Sequence, residues 1–227
     1  MTTGPPTSPE RGAARVLVRV WLPDRPGALG LVASRIGAVR GDIVGVDVLE
    51  RGEDVVEDEF AVDLGDLRLL DILVREIEEV DGASVEEVRI VERFPDARLD
   101  ALESAALLCE ATSVDELRGV LVDHIREEFL ADWAALVGVD GVLASAGEAP
   151  DPGALATLGE QAAGSAHPAG GAGWPADLAL AGLLSHRVNL LVGRAGHPFR
   201  LRERQQLLGL ARVADRAWIL LAGRPGS

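Results

Sequence analysis

The most constraining feature of this sequence is a short junction, Pro23 to Leu31, at which one hydrophobic periodicity gives way to another. Before it, apolar residues alternate along the chain as in a half-buried strand: Val16, Val18, Val20 and Leu22. After it, they recur at helical spacing: Leu29, Val32, Ile36 and Val39. A strand that turns through Pro26-Gly27 into a helix leaves the first N–H groups of that helix without intrahelical acceptors. This junction therefore favours recognition of a small carboxylate or phosphate.

The residues after the junction predict a βαββαβ order. Strand patterns at 43–50 and 56–64 flank a turn at 51–54 and form a predicted hairpin. Asp66 is predicted to cap a helix that ends at Asp81-Gly82, and a last strand follows from Ser84 to Glu92. Chains with this order fold as the ferredoxin-like split unit, an antiparallel sheet with both helices on one face.

The second predicted strand of the hairpin carries alternating charges. Glu57, Glu59 and Asp63 are predicted to face solvent, because they alternate with Val56, Phe60, Val62 and Leu64. Asp58 falls on the apolar side of that alternation. It is therefore expected to point inward or to lie near an edge of the sheet.

The segment Leu22-Pro-Asp-Arg-Pro-Gly-Ala-Leu-Gly30, followed by Gly41-Asp42-Ile43-Val44, resembles the ACT domain, a regulatory module that binds amino acids. The resemblance covers about residues 14–93. It implies a side-by-side homodimer in which an amino acid lies where the strand–helix loop of one subunit faces its partner. The implied ligand-binding residues are Asp24, Pro26, Gly27, Ala28 and Leu29 in the loop, and Asp42, Ile43 and Val44 at the start of the second strand. Many members carry Asn where Asp42 stands, so the identity of the ligand stays open, although a carboxylate pairs with an α-ammonium at least as well.

The second half of the chain begins near Phe94-Pro95 and reads as helices around a small sheet. A capping box, Ser113 to Glu116, predicts the start of a helix, and Asp140-Gly141 predicts the turn of a hairpin. The remaining predicted elements are helices over 99–109 and 153–164, strands over 133–139, 142–146, 178–183 and 188–193, and a long final helix over 201–222.

The pattern Val192-Gly193-Arg194, then His197-Pro198-Phe199, then a long Leu/Ala-rich helix, is similar to the end of a GAF domain. The resemblance covers about residues 101–222 and is strongest over 177–222. It implies an α/β domain with an antiparallel sheet flanked by helices. The linker before the last strands is short and poor in large side chains, which argues against a spacious pocket. The Lys and Tyr of cyclic-nucleotide-binding members cannot be present, because the chain contains neither residue.

Metal-ligating and nucleophilic residues form no readable site, so no metal and no cofactor are expected. Three histidines lie in separate predicted loops without a carboxylate at metal-ligand spacing: His167, His186 and His197. His124 lies on an apolar helix stripe, where a hydrogen-bonded histidine at the edge of the core is expected. Cys109 is expected to be a buried small hydrophobe. The arginines at the start of the final helix are expected to be solvated: Arg200, Arg202 and Arg204.

Charge narrows the possible partners. The formal net charge is −15 at pH 7, and all 22 basic residues are arginine. An acidic chain disfavours binding to nucleic acid or to an anionic membrane, and a chain without lysine has no P-loop and no Schiff base. No apolar run reaches the length of a membrane span. Residues 1–14 lack the apolar core of a signal peptide, so a disordered leader and a cytoplasmic protein are expected.

These observations predict an α+β protein with a leader over 1–13, a ferredoxin-like ACT domain over 14–94 and a GAF-like domain over 95–227. The expected function is non-catalytic regulation. An amino acid would bind at the ACT dimer interface, with its carboxylate on the N–H groups of Gly27, Ala28 and Leu29 and its ammonium at Asp24 or Asp42. The alternative is a structural dimerisation or partner-interaction module that binds no ligand. An enzyme is least favoured, because no nucleophile–base pair, metal cluster or cofactor fingerprint is readable.

Overall fold

A computed structural model describes residues 14–164 and 174–223. The chain divides into two compact units between Phe94 and Pro95. The expected leader over 1–13 and most of the predicted loop that contains His167 lie outside the described residues. None of the helices in the described ranges combines the length and the apolar character that a bilayer span requires.

The first unit follows the βαββαβ order that the sequence predicts. Its strands and helices are β1 (Ala14–Pro23), α1 (Ala28–Ala38), β2 (Asp42–Arg51), β3 (Val55–Leu64), α2 (Leu70–Glu78) and β4 (Ser84–Val91). The strand order in the sheet is β2-β3-β1-β4, and every neighbouring pair is antiparallel. The order places β2 and β4 at the two edges. Asp66 accepts a hydrogen bond from the Arg68 amide at 2.9 Å and caps the short 3-10 turn that leads into α2, as predicted.

The core of the first unit lies between its two helices and one face of the sheet. Apolar residues at alternate positions of β1 and β3 form a single buried cluster with Val32 and Ile36 of α1 and with Leu73 and Ile77 of α2. Because both helices contribute to the same cluster, they pack on the same face. The apolar residues that alternate along the strands and those at helical spacing in α1 and α2 therefore form the two sides of one buried interface.

The opposite face of this sheet contains buried charges. Glu57 is 0% exposed and Arg19 is 3% exposed. Arg19 Nε donates to Glu59 Oε2 at 2.7 Å, and its Nη1 donates to Glu87 Oε2 at 3.2 Å. The prediction that Glu57 and Glu59 face solvent is therefore wrong. Alternation assigns residues to the two faces of a strand, but it does not say which face is covered.

The second unit is built on a second four-stranded antiparallel sheet, in the order β6-β5-β8-β7. Its elements are α3 (Ala97–Glu110), α4 (Val114–Glu128), β5 (Trp133–Gly138), β6 (Gly141–Gly147), α5 (Pro152–Gly164), β7 (Leu178–Leu183), β8 (Val188–Gly193) and α6 (Leu201–Ala222). Helices cover both faces. Leu136 and Leu190 pack in the cluster that contains α3, α4 and α6, whereas Val137 and Leu191 pack against Leu155 of α5.

The sequence predictions for the helices of the second unit are confirmed in part. The apolar stripe that the sequence predicts for the last helix is buried at Leu207, Leu210, Ala214 and Trp218, whereas its last member, Leu221, is only partly buried. Ser113 Oγ accepts from the Glu116 amide at 3.2 Å, as its capping box predicts. Cys109 is exposed, so the prediction of a buried thiol is wrong. Apolar residues lie on every side of α3, and their spacing therefore does not single out its inner face.

Candidate functional site

The loop between β1 and α1 ends in a helix start that carries no cap. Gly27 adopts φ +92°, a left-handed conformation that favours glycine, and no side chain caps the helix. The Ala28 amide donates to the Arg25 carbonyl at 3.3 Å, and the Leu31 amide donates to the Gly27 carbonyl at 3.0 Å. Within residues 14–164 and 174–223, no acceptor reaches the amides of Gly27, Leu29 or Gly30. The first turn of α1 thus presents open N–H groups and the positive end of its dipole.

Charged side chains surround this loop. The Asp24 amide donates to the Asp54 carbonyl at 2.9 Å, which ties the end of β1 to the turn between β2 and β3. An Asp24 carboxylate oxygen lies 3.9 Å from Arg51 Nη1, and Arg25 Nη2 lies 3.5 Å from Asp81 Oδ2. These ion pairs are largely exposed, so they contribute little to stability. They leave the charged groups free to rearrange around an anion or an ammonium group.

Asp58 is a buried carboxylate near the same loop. It is 4% exposed, it lies opposite Val20 of β1 and Val48 of β2, and among the described residues its Oδ1 has no hydrogen-bond partner. Burial raises the pKa of Asp58, and the nearby negative charge of Asp24 raises it further, while Arg51 opposes both effects. The group that sequence alternation placed on the inner side of β3 is therefore an incompletely satisfied carboxyl group.

The packing of α1 on β3 places Asp58 at the level of the open helix start. A Cβ at Gly41 would lie 2.8 Å from Ile36 Cγ2 and 2.9 Å from Val62 Cγ1, so these two side chains approach each other at the far end of α1. From Ile36 back to Ala28, the helix rises about 12 Å at about 1.5 Å per residue. From Val62 back to Asp58, the strand spans about 13 Å at about 3.3 Å per residue. α1 begins after the end of β1 and ends near Val62, which pairs with Val16 near the start of β1, so the helix and β3 run in the same direction. These rises put Ala28 and Asp58 at about the same height.

The sequence-predicted site residues fall into two groups at opposite ends of the sheet. Asp24, Pro26, Gly27, Ala28 and Leu29 lie at the end where β1 stops; all are exposed except Ala28. Asp42, Ile43 and Val44 open β2 at the other end, where Asp42 pairs with Asp63. Seven positions of β3 separate Asp63 from Val56, the partner of Arg51, which is about 23 Å of strand. One copy of the chain therefore does not bring the two groups together.

β2 is an edge strand with exposed apolar side chains. Val44, Val46 and Val48 are 50%, 41% and 42% exposed. Two register shifts interrupt its pairing with β3, one between Ile43 and Gly45 and the other between Val48 and Glu50. Val46 and Val48 lie on the helix side of the sheet, whereas Val44 lies within the first irregularity. The outer edge of β2 keeps main-chain groups available for pairing with another strand.

The second unit contains a polar cluster that the sequence did not reveal. His186 Nδ1 lies 2.9 Å from Asp215 Oδ1, and Ser185 Oγ donates to Asp215 Oδ2 at 2.8 Å. Burial opposes ionisation of Asp215, but the hydrogen bonds from His186 and Ser185 outweigh it, and its pKa is lowered. The serine and the histidine bond the same carboxylate, so the cluster lacks the serine–histidine contact of a nucleophilic triad.

This cluster anchors the last strands to α6. The His186 ring stacks on Trp218, with 4.3 Å between ring centroids, and Asp215 and Trp218 lie one turn apart on the helix. A surface groove of about 790 Å³ between α3 and α6 begins beside Asp215. Nothing in the sequence pointed to the pairing, because His186 and Asp215 are 29 positions apart. Within the described part of the chain, no group of three or more His, Cys, Asp or Glu residues is arranged to hold a metal ion.

The start of α6 is closed by the protein itself. Arg194 is 2% exposed, and its Nη1 donates to the Phe129 carbonyl at 2.9 Å while its Nη2 lies 2.7 Å from Glu203. Glu203 also accepts from the Arg200 amide at 2.8 Å. Arg204 donates to three main-chain carbonyls at 2.9–3.2 Å, so the expectation that it is solvated is wrong. No anion is needed at this helix start.

No protein-family model matches the sequence, and no curated protein matches it. Among solved structures, the chain is similar to the ACT domain of a GTP pyrophosphokinase from Chlorobium tepidum, at 13% identity over 37% of this chain and 92% of that one, with a TM-score of 0.29. It is similar to the GAF domain of a phosphoenolpyruvate-protein phosphotransferase from Acinetobacter, at 13% identity over 59% of this chain and 99% of that one, with a TM-score of 0.44. A bacteriophytochrome from R. palustris matches at 13% identity over 78% of this chain and 47% of its own length, with a TM-score of 0.39. The structural neighbours thus include ACT, GAF and GAF-containing proteins, all at low identity and over part of the chain.

Proposed function

We propose that this chain is a regulatory protein without catalytic activity of its own, and that its first unit binds an amino acid at the start of α1. The observation that carries the proposal is the exposed, uncapped first turn of that helix, where the amides of Gly27, Leu29 and Gly30 lack acceptors among the described residues. Helix starts with open N–H groups bind carboxylates and phosphates. Two carboxylates and two guanidinium groups surround the loop, in the pairs Asp24–Arg51 and Asp81–Arg25. This mixture of charges favours a small zwitterion over a phosphate, because the two acidic side chains would repel a dianion.

The expected position of the ligand follows from the available donors. Its carboxylate accepts from the amides of Gly27 and Leu29, and the Gly30 amide is a further available donor. The Ala28 amide already donates to the Arg25 carbonyl. Its ammonium group faces the carboxylates on the sheet side of the loop. Ligand binding of this kind removes the positive helix end from water and replaces exposed ion pairs with charge-assisted hydrogen bonds.

A homodimer would complete the site. If two copies pair through antiparallel β2 edges, the Asp42–Val44 segment of one copy comes beside the Arg51 end of β2 in the other, next to the open helix start. This arrangement would reunite the two groups of predicted residues that one chain holds about 23 Å apart. The exposed valines of β2 support it, because they gain cover on pairing. Ligand bound between subunits becomes allosteric only if two dimer states bind it with different affinity.

The test is a thermal-shift screen of the twenty amino acids at millimolar concentration. At 100 times its dissociation constant, a ligand adds about 2.7 kcal/mol to stability. Gly27→Val is expected to abolish the shift, because its side chain obstructs the helix start. Gly196→Val is the matched control, since both glycines have positive φ and open space around the missing Cβ, at +92° and +75°. The proposal fails if no amino acid shifts the wild-type protein, or if Gly196→Val loses the shift as well.

A second function is favoured by the β2 edge alone. A chain that dimerises or binds a partner strand through Val44, Val46 and Val48 needs no ligand. Val46→Pro would then weaken self-association, because proline adds no N–H donor to a ladder. Light scattering at micromolar concentration measures this. A dimer that Val46→Pro dissociates, together with an empty amino-acid screen, would favour the interaction module.

A further inference from the structure

We infer that Asp58 is the group that receives the ammonium of the ligand. This inference rests on the proposed function and names its recognition chemistry: a primary ammonium bound by a buried carboxylate beneath the first turn of α1. The loop residues hold the other end of the same ligand, its carboxylate. The ammonium was expected from the sequence at Asp24 or Asp42, and Asp58 takes that place.

The first argument is that, in the part of the chain that the structure describes, the buried Asp58 Oδ1 has no hydrogen-bond partner. Buried polar groups in folded proteins are almost always hydrogen-bonded, and an isolated buried carboxylate is strongly unfavourable. Glu128 in the second unit shows the usual arrangement: it is partly buried, and it accepts from Ser104 Oγ at 2.5 Å and from Gln206 Nε2. Asp58 Oδ1 has no such donor within the described residues. Burying a carboxylate oxygen without a hydrogen bond destabilises the fold. A position at which this occurs is suited to accept a hydrogen bond from a bound ligand.

The second argument is position. The rises of α1 and β3 put Asp58 at about the height of Ala28, so a ligand carboxylate on the helix start would hold its own α-ammonium on the side of β3. The strand neighbours of Asp58 are Val20 and Val48, which offer no side-chain donor. The charged groups that act on Asp58 are Arg51 and Asp24. Arg51 lies 3.9 Å from Asp24 in an exposed pair.

The third argument concerns the alternative carboxylate. Asp42 is exposed and begins β2 at the far end of the sheet, and only a second copy would bring it to the loop. An exposed carboxylate contributes little to binding, because water screens it, whereas a buried one interacts strongly with a bound cation. Asp58 is supplied by the same chain as the helix start. Recognition of the ammonium therefore does not depend on dimerisation.

The experiment compares two ligands and three variants in the full chain. The ligands are the amino acid with the largest thermal shift and its α-hydroxy acid, which keeps the side chain and the carboxylate but lacks the ammonium group. Asp58→Asn is expected to lower affinity for the amino acid at least tenfold in calorimetry, and the α-hydroxy acid is expected to bind weakly to wild type and variant alike. Asp42→Asn is expected to have the smaller effect. Asp63→Asn, a half-exposed carboxylate on the same strand, is the matched control and should leave affinity unchanged.

Several results would overturn the inference. Wild-type affinity in Asp58→Asn would do so while leaving the proposed function intact, as would equal binding of the amino acid and its α-hydroxy acid. If no amino acid binds the wild-type protein, the proposed function itself fails, and the inference fails with it. Asp58→Ala is the second variant. Loss of folding in both Asp58 variants also overturns the inference, because it would make Asp58 a structural residue.

Discussion

Two helix starts in this molecule solve the same physical problem in opposite ways. The start of α6 is filled by the protein: Glu203 accepts from the Arg200 amide, and the buried Arg194 guanidinium holds Glu203 in place. The start of α1 has open amides and, beneath it, the unsatisfied carboxylate of Asp58. Both lie where a strand leads into a helix that packs on a sheet. The difference indicates which polar groups stabilise the fold and which are available to bind a ligand.

A polar group that is bonded within the chain stabilises the fold, and removing its partner is unfavourable. A polar group that is buried without a bond destabilises the fold, and replacing it is favourable. The sign of a single substitution therefore separates the two kinds of site. Stability measurements on the two helix starts test the comparison without any ligand.

The largest effect is expected at α6. Arg194→Met should lower the free energy of unfolding by about 3–5 kcal/mol, because it removes the buried guanidinium that pairs with the partly buried Glu203 carboxylate. Arg194 also donates to the carbonyls of Phe129, His197 and Pro198, and these bonds are lost with it. Urea denaturation measures the change. Arg212→Met, an exposed arginine on the same helix, is the control and should change stability by less than about 0.5 kcal/mol.

A smaller effect of opposite sign is expected at α1. Asp58→Asn should raise the free energy of unfolding at neutral pH by about 1–3 kcal/mol, because it removes a buried carboxylate that lacks a hydrogen bond. A destabilised variant would contradict the comparison, since Asp58 would then serve the fold as Arg194 does. Equilibrium unfolding in urea without added amino acids is the measurement.

The same substitution should change the pH dependence of stability. The pKa of Asp58 is raised in the folded protein above its ordinary value of 3.8, so the folded state binds more protons than the unfolded state between the two pKa values. This group therefore makes stability fall as pH rises through that window. Asp58→Asn should stabilise the protein less below the window than above it. An equal gain at both pH values would show that the carboxylate charge is not the cause.

The smallest effect is expected at α4, whose start is closed by a single hydroxyl group. Ser113→Ala should lower stability by about 1 kcal/mol, because the Glu116 amide loses its acceptor. The loss should be smaller than at Arg194, where a charged network is broken. Thermal unfolding of the variant checks it, and an unchanged melting temperature would mean that water replaces the cap without loss.

The parts of the fold that local chemistry determines could be predicted from the sequence. The bounds of β7, β8 and α6 match their apolar patterns, because each run is flanked by residues that break its periodicity. The capping residues Asp66 and Ser113 were predictable for the same reason: a cap acts within three residues of itself. The βαββαβ order followed from the alternation of the two periods.

The features that could not be predicted depend on contacts between segments that are far apart in the sequence. The burial of Glu57 depends on what covers the far side of its sheet, and strand alternation contains no such information. Arg204 is directed at carbonyls of the segment before β7, and His186 meets Asp215 across 29 positions. From its pattern, Asp58 was expected to point inward or to lie near an edge of the sheet. That it has no partner there became visible only with the packed structure.

The position of β1 in its sheet has a consequence for how the chain is made. β1 is complete only when β3 and β4 lie on its two sides, and its register joins Arg15 to Val91. At about 5–20 residues per second, a ribosome takes roughly 3–14 s to proceed from the end of β1 to the end of β4. The β2–β3 hairpin forms within that time, because its contacts are local. The valines of β1 remain exposed at the edge that β4 will later occupy. β1 is synthesised before the other described strands of its sheet, but its pairing is complete only when β4 has been made, and a chain released before β4 would expose a hydrophobic edge.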